Sequence, residues 1–138
     1  MTKSVHAVGV IFENEQGQIL VLRRHPQDPE GTTWGLVGGK VEPGEDEATA
    51  AKREVEEEIG HNLDLSDLQF VKSYHWERDD LDIHFTVFTL PTQIEKVTMD
   101  IDQNEHTEHL WATPDDLYQR KDLMIGLYPI IEDRYNVK

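Results

Sequence analysis

The chain has 138 residues, 37% hydrophobic and 30% charged, with 13 Lys+Arg against 28 Asp+Glu, a formal net charge of −15, and no cysteine. That length fits one domain, residues 1–138, with one sizeable core. The negative field opposes binding to nucleic-acid backbones and anionic membranes, and the lack of cysteine excludes disulfides, thiolate catalysis and Cys-based zinc sites.

Val5 to Phe12 is an apolar, β-branched run of strand length, and Ile19 to Leu22 is a second one that ends at Arg23-Arg24. The polar ENEQGQ between them reads as a turn, and HPQDPEGTT, with two prolines and a glycine, as a loop. Trp34 to Val37 restarts an apolar segment that Gly38-Gly39 should interrupt. KVEPGED is turn-like, with Glu45 or Asp46 placed to cap the next segment. EATAAKREVEEEIG is built of good helix formers and closes on Gly60, where a C-cap glycine belongs.

The second half is β-rich. Leu68 to Trp76 and Leu81 to Leu90 read as strands joined by a charged turn, Ile94 to Met99 as another strand, and His109 to Ala112 as a short one. Thr113-Pro114-Asp115-Asp116 is a helix start, and a last helix should begin near Tyr128-Pro129. Strands outnumber helices without βαβ alternation, which points to an α/β (α+β) chain with a mixed sheet covered by helices. The first residues lack the apolar core of a signal peptide and the apolar runs are too short to span a membrane, so a cytoplasmic protein is expected.

The helix over Glu47–Ile59 has two faces. Ala48, Ala51, Val55 and Ile59 form a stripe suited to packing on a sheet. Glu54, Glu57 and Glu58, spaced i, i+3, i+4, form another, with Arg53 one turn before Glu57 and Glu56 facing away from both. A solvated acidic face is the ordinary reading of such a run. However, these acids stand near the helix C-terminus, where the macrodipole disfavours each by roughly 0.3–1 kcal/mol. Three convergent carboxylates suit a hard cation, Mg²⁺ above all.

GKVEPGEDEATAAKREVEEEIGH, Gly39 to His61, resembles the signature of the Nudix (MutT-like) hydrolases, G-x5-E-x7-R-E-U-x-E-E-x-G-U with U aliphatic. Gly39, Glu45, Arg53, Glu54, Val55, Glu57, Glu58 and Gly60 stand at the required positions. His61 replaces an aliphatic residue, a change expected to touch packing more than chemistry. WGLVGGK resembles the lead-in W-x-x-P-G-G-K, with Val37 at the proline position.

The resemblance implies a Nudix α/β/α sandwich and Mg²⁺-dependent hydrolysis of a nucleoside diphosphate linked to another moiety, with Mn²⁺ as a substitute ion. It implies Glu54, Glu57, Glu58 and the carbonyl of Gly38 as metal ligands, Arg53 as their organiser, and Glu45 as a partner of Arg53. Gly39 and Gly44 would allow tight turns. The general base stays open among Glu54, Glu57, Glu105 and Glu108, with Glu108 ahead of Glu105. Arg23 or Arg24 could bind phosphate. Trp34 could stack on a base or sit in the core. His106-Thr107-Glu108-His109 is too short to assign. A small-molecule nucleotide is the expected partner, and a homodimer is an open state of assembly. A non-catalytic nucleotide-sensing module is the alternative function; the retained box glutamates oppose it.

Overall fold

The structure is a computed structural model that describes residues 3–28 and 31–137. Strand β1 (Lys3–Glu13) is its spine. Along one edge it pairs in parallel with β6 (Leu81–Pro91) over its whole length. Along the other it pairs antiparallel with β4 (Val37–Lys40) and, at its end, with β2 (Ile19–Arg24). Beyond β6 lies β5 (Gln69–Arg78), antiparallel to it. Strand β2 also carries the two-residue β3 (Trp34–Gly35) and β7 (His106–Ala112), both antiparallel. The parallel β1–β6 pairing among antiparallel neighbours makes the sheet mixed, as expected from the strand-rich pattern.

Alternation along β1 sends side chains to two cores. Val8, Val10 and Phe12 meet helix α1 (Glu47–Ile59) on one face, through Ala50, Ala51, Val55 and Ile59, all fully buried. Ala48, from the expected stripe, is only partly buried, and Ala50 joins the core beside it. Ile11, with Ile19 and Val21 of β2, faces α2 (Pro114–Tyr118) and α3 (Leu127–Tyr135) on the other side, through Leu117, Ile130 and Ile131. A sheet between two helical layers results. No helix among the described residues is long and apolar enough to cross a membrane.

Helix α1 begins and ends as its sequence dictates. The Asp46 carboxylate accepts the Thr49 N–H at 2.8 Å. Gly60 is left-handed, at φ 67°, and its N–H donates to the Glu56 carbonyl. His61 follows with its ring edge-on to Phe12, centroids 5.8 Å apart, while its Nδ1 accepts the Thr98 N–H. The histidine thus closes the helix against the core and ties down a neighbouring loop.

Two local expectations fail. The chain does not stop at Gly38-Gly39 but continues as strand through Lys40, because β1 supplies partners as far as Ala7↔Lys40. Ile94 to Met99 forms no strand; Ile94–Lys96 is a single 3₁₀ turn with no neighbouring strand edge to pair.

Replacing the cap, Asp46→Ala, is expected to lower the free energy of unfolding by about 1 kcal/mol, with Asp46→Asn recovering most of it. Urea denaturation of the three proteins measures this; an unchanged midpoint in the alanine variant would show that the cap contributes nothing.

Candidate active site

The site forms where α1 crosses β4, and two glycines permit the crossing. Gly38 lies opposite Gly9, and Gly39 opposite Val8. A Cβ at Gly38 would stand 2.0 Å from the Val8 carbonyl oxygen. One at Gly39 would stand 2.4 Å from the carboxylate of Glu54. The role of Gly39 is therefore close approach rather than the tight turn expected of it. Among the glycines here only Gly44, at φ 81°, takes a left-handed backbone for the turn before α1.

Arg53 organises one side of the site. Its Nε and Nη2 donate to the two oxygens of Glu45 at 2.8 and 2.9 Å, and Nη2 also donates to the Lys40 carbonyl. Its Nη1 donates to Glu54 at 2.9 Å and to Glu57 at 3.2 Å. The bidentate contact holds the Glu45 carboxyl down to about 2. One guanidinium thus fixes strand, turn and two helical carboxylates together, and Glu45 is committed to it. Glu57 remains open to solvent, with its side chain 54% exposed.

Glu58 is the opposite case, at 3% exposed. Its Oε1 accepts the Gly38 N–H at 2.6 Å. Its Oε2 is 3.4 Å from Nδ1 of His106, itself 3% exposed. Burial pushes that imidazole down to about 4, with Arg24 adding to the effect. The ring is neutral at pH 7, so the contact is not an ion pair. Burial also raises the Glu58 carboxyl well above its usual range, and the nearby charges of Glu54 and Glu105 add to this. Glu54 is raised as well, chiefly by burial and despite Arg53.

The third wall comes from the chain before β7. Asp100 and Asp102 donate their N–H groups to the carbonyls of Ile59 and Glu58 at 2.8 and 2.9 Å, which satisfies acceptors left free at the end of α1. The chain then turns, with Glu105 and His106 donating to the Asp102 carbonyl, and the Glu105 carbonyl accepts the His25 N–H. Glu58, Glu105 and His106 come together so closely that one ligand atom from each lies within 4.8 Å of the others. With Glu54, Gly38, Gly39, Lys40 and Arg24 they line a cleft of about 490 Å³. Arg24 Nε is buried without a hydrogen-bond acceptor, 3.5 Å from the Asp28 carboxylate.

Several expected site residues fall elsewhere. Register pairs Arg23 with Glu108, and the two form an ion pair at 2.9 Å, away from the cleft lining. Glu108 thus stands off the cleft lining on which Glu105 lies. Trp34 is 6% exposed and packs in the second core, with the guanidinium groups of Arg23 and Arg120 near its ring, so it offers no free stacking face. His106 is the site residue that sequence reasoning missed. The signal lay in the start of β7, three residues earlier than expected, which sets His106 opposite Arg24.

A family model described as the NUDIX domain matches residues 3–133. The chain is 29% identical over 117 residues to a CTP pyrophosphohydrolase of Escherichia coli, covering 85% of this chain and 82% of that protein. It is 38% identical over 96 residues to an uncharacterized Nudix hydrolase of Listeria innocua, covering 62% of this chain and 56%, about half, of that relative. Among solved structures, the MutT protein from Methanosarcina mazei superposes with a TM-score of 0.81 at 24% identity, covering 99% of this chain and 98% of that one, a likeness of fold. The E. coli ORF135 protein gives 0.76 at 27% identity, covering 95% and 88%.

Glu58→Gln keeps an acceptor for Gly38 and turns an amide toward His106 Nδ1. A carboxyl raised in the folded state costs stability as pH climbs from its ordinary value of 4.5 through the raised one. The variant should therefore melt higher than wild type at pH 7 in chelator, and the gain should vanish near pH 4. Thermal melts across that range check it; a lower melting temperature at pH 7 would contradict the reading.

Proposed function

The chain belongs to the NUDIX family, and on that premise we propose that it is a single-domain, cytoplasmic, Mg²⁺-dependent pyrophosphohydrolase of a nucleoside triphosphate or related nucleotide. The observation that carries this reading is the buried carboxylate of Glu58, which accepts one N–H and has an unbonded neutral imidazole at 3.4 Å, with Glu54 and Glu105 beside it. Such a group calls for a cation. Apart from the His106 nitrogen, the donors beside it are carboxylate oxygens, which fit a hard ion. Glu54, Glu57 and Glu58, with the carbonyl of Gly38, would hold Mg²⁺, or Mn²⁺ in its place. An ion held there would supply charge neutralisation for the pyrophosphate and Lewis acidity at the reacting centre.

The remaining roles belong to the chain's own groups. Arg53 keeps Glu54 and Glu57 at a fixed spacing, and Glu45 keeps Arg53 from turning toward the substrate. Arg24 and Lys40, on the cleft wall, bind phosphate oxygens. Glu105 accepts the proton of the attacking water. The water oxygen bonds to one phosphorus, the bridging P–O bond breaks, and the far phosphate leaves with the bond's electron pair. A triphosphate is favoured over bulkier nucleotides by the short Gly39–Glu45 loop and by similarity to an enzyme named for CTP. The retained box glutamates disfavour a purely sensing module.

A panel of nucleotides assayed with Mg²⁺ should release phosphate or pyrophosphate, and chelator should abolish the release. Glu57→Gln should reduce turnover on the order of 100-fold or more. Equal turnover in that variant would sink the ligand assignment, and a silent wild type would favour the sensor. In the same assay Glu105→Gln should lower kcat on the order of 10²-fold, while Glu108→Gln, which only frees Arg23, should change it little. The reverse ranking would return the general base to Glu108.

A further inference from the structure

A second group of metal-ligating side chains stands on the α1 face of the sheet, built from residues outside the site described above. Strand register sets three histidines in one row: His6 of β1 lies opposite His84 of β6, and His84 lies opposite His75 of β5. Asp82, two residues before His84, projects from the same face one step along. The rings of His75 and His84 are stacked at 4.3 Å and only 10° apart. Both present Nε2 to the same carboxylate: His75 hydrogen-bonds to Asp82 Oδ1, and His84 Nε2 lies 3.6 Å from Oδ2. One ligand atom from each of the three residues falls within 4.8 Å of the others.

We propose that His75, Asp82 and His84 form a binding site for a borderline divalent ion of the Zn²⁺ type, separate from the Mg²⁺ site proposed above among the box glutamates. Two imidazoles and one carboxylate are a donor set such ions prefer and Mg²⁺ does not. Tetrahedral ligands at zinc distances stand about 3.4 Å apart; the two rings would turn out of their stacked arrangement so that both Nε2 lone pairs converge on the ion, from two strands already locked in register. Each ring needs only to carry its proton on Nδ1, so that the Nε2 lone pair faces the ion. A fourth position stays open to water. The surroundings steady the donors: His6 meets the His84 ring edge-on at 6.5 Å, and is held by Glu47 at 2.7 Å. Glu47 in turn accepts from Thr86. The ion would join β5 to β6 close to their connecting turn, where Asp79 takes a left-handed backbone at φ 53°.

The test is calorimetric titration of Zn²⁺ into protein held in excess Mg²⁺, with wild type, His75→Asn, His84→Asn and Glu57→Gln. Wild type should bind one Zn²⁺, each histidine variant should bind it on the order of tenfold or more weakly, and Glu57→Gln should bind it as wild type does. The ring resonances of His75 and His84 in the wild-type NMR spectrum should shift together as Zn²⁺ is added, a readout that needs no variant to fold. Wild-type affinity in both histidine variants, resonances that stay still, or loss of binding in Glu57→Gln would overturn the proposal. The last outcome would place the zinc among the box glutamates. None of these results depends on whether any nucleotide is hydrolysed.

Discussion

The structure depends on a carboxylate held where a folded chain least favours one. Glu58 sits in the last turn of α1, at the negative end of the helix dipole, with no basic residue in that turn and almost no solvent. Burial alone of an ionised carboxyl costs several kcal/mol before compensation. Its surroundings can be understood as the means of tolerating that position. A glycine strand comes near enough for a backbone N–H to reach it. A neutral histidine, rather than a second acid, faces its other oxygen. One arginine gathers the next three carboxylates, which keeps their repulsion from adding fully to the cost.

Much of this was legible in the sequence, and the boundary of what was legible is physical. Helix α1 was readable almost from cap to cap because its signals are local: Glu45 or Asp46 at the start, the i, i+3, i+4 stripes, and Gly60; the structure gives the cap to Asp46. The pairing of Glu45 with Arg53 followed from the motif. Solvent exposure did not. The same spacing that groups Glu54, Glu57 and Glu58 on one stripe says nothing about depth, yet Glu57 is half exposed and Glu58 fully buried. The difference comes from β4 and the 100–106 segment lying over one side of the helix. Strand register decided the rest. That Arg23 faces Glu108 and Arg24 faces His106 depends on a bulge between Arg23 and Arg24, which no local pattern announces. Trp34 was ambiguous for the same reason: only the distant α2–α3 layer makes it core.

Charge is distributed with similar economy. The chain carries an excess of acids, and Glu13, Glu45, Glu54 and Asp122 each engage an arginine. In the cleft, burial first and then the charges of Glu54 and Glu105 raise the carboxyl of Glu58 above its usual range. Acids gathered in one cleft favour a small multivalent cation over a bare anion.

The pinning of residues 100 and 102 to the end of α1 has a consequence for how this chain can vary. From Asp100 onward the path to Glu105 is set by hydrogen bonds to helix carbonyls, and Thr98 is tied to His61. Before that, from residue 92 to 97, only one 3₁₀ turn intervenes. Insertions or deletions there fall between two fixed points, Thr92, whose N–H donates to the Glu13 carbonyl, and Val97, which packs on the α1 core, both upstream of the anchored segment. Length change is thereby separated from chemistry. Diversity can accumulate in one half of the connection while the other half, anchored at its first residues, keeps its geometry.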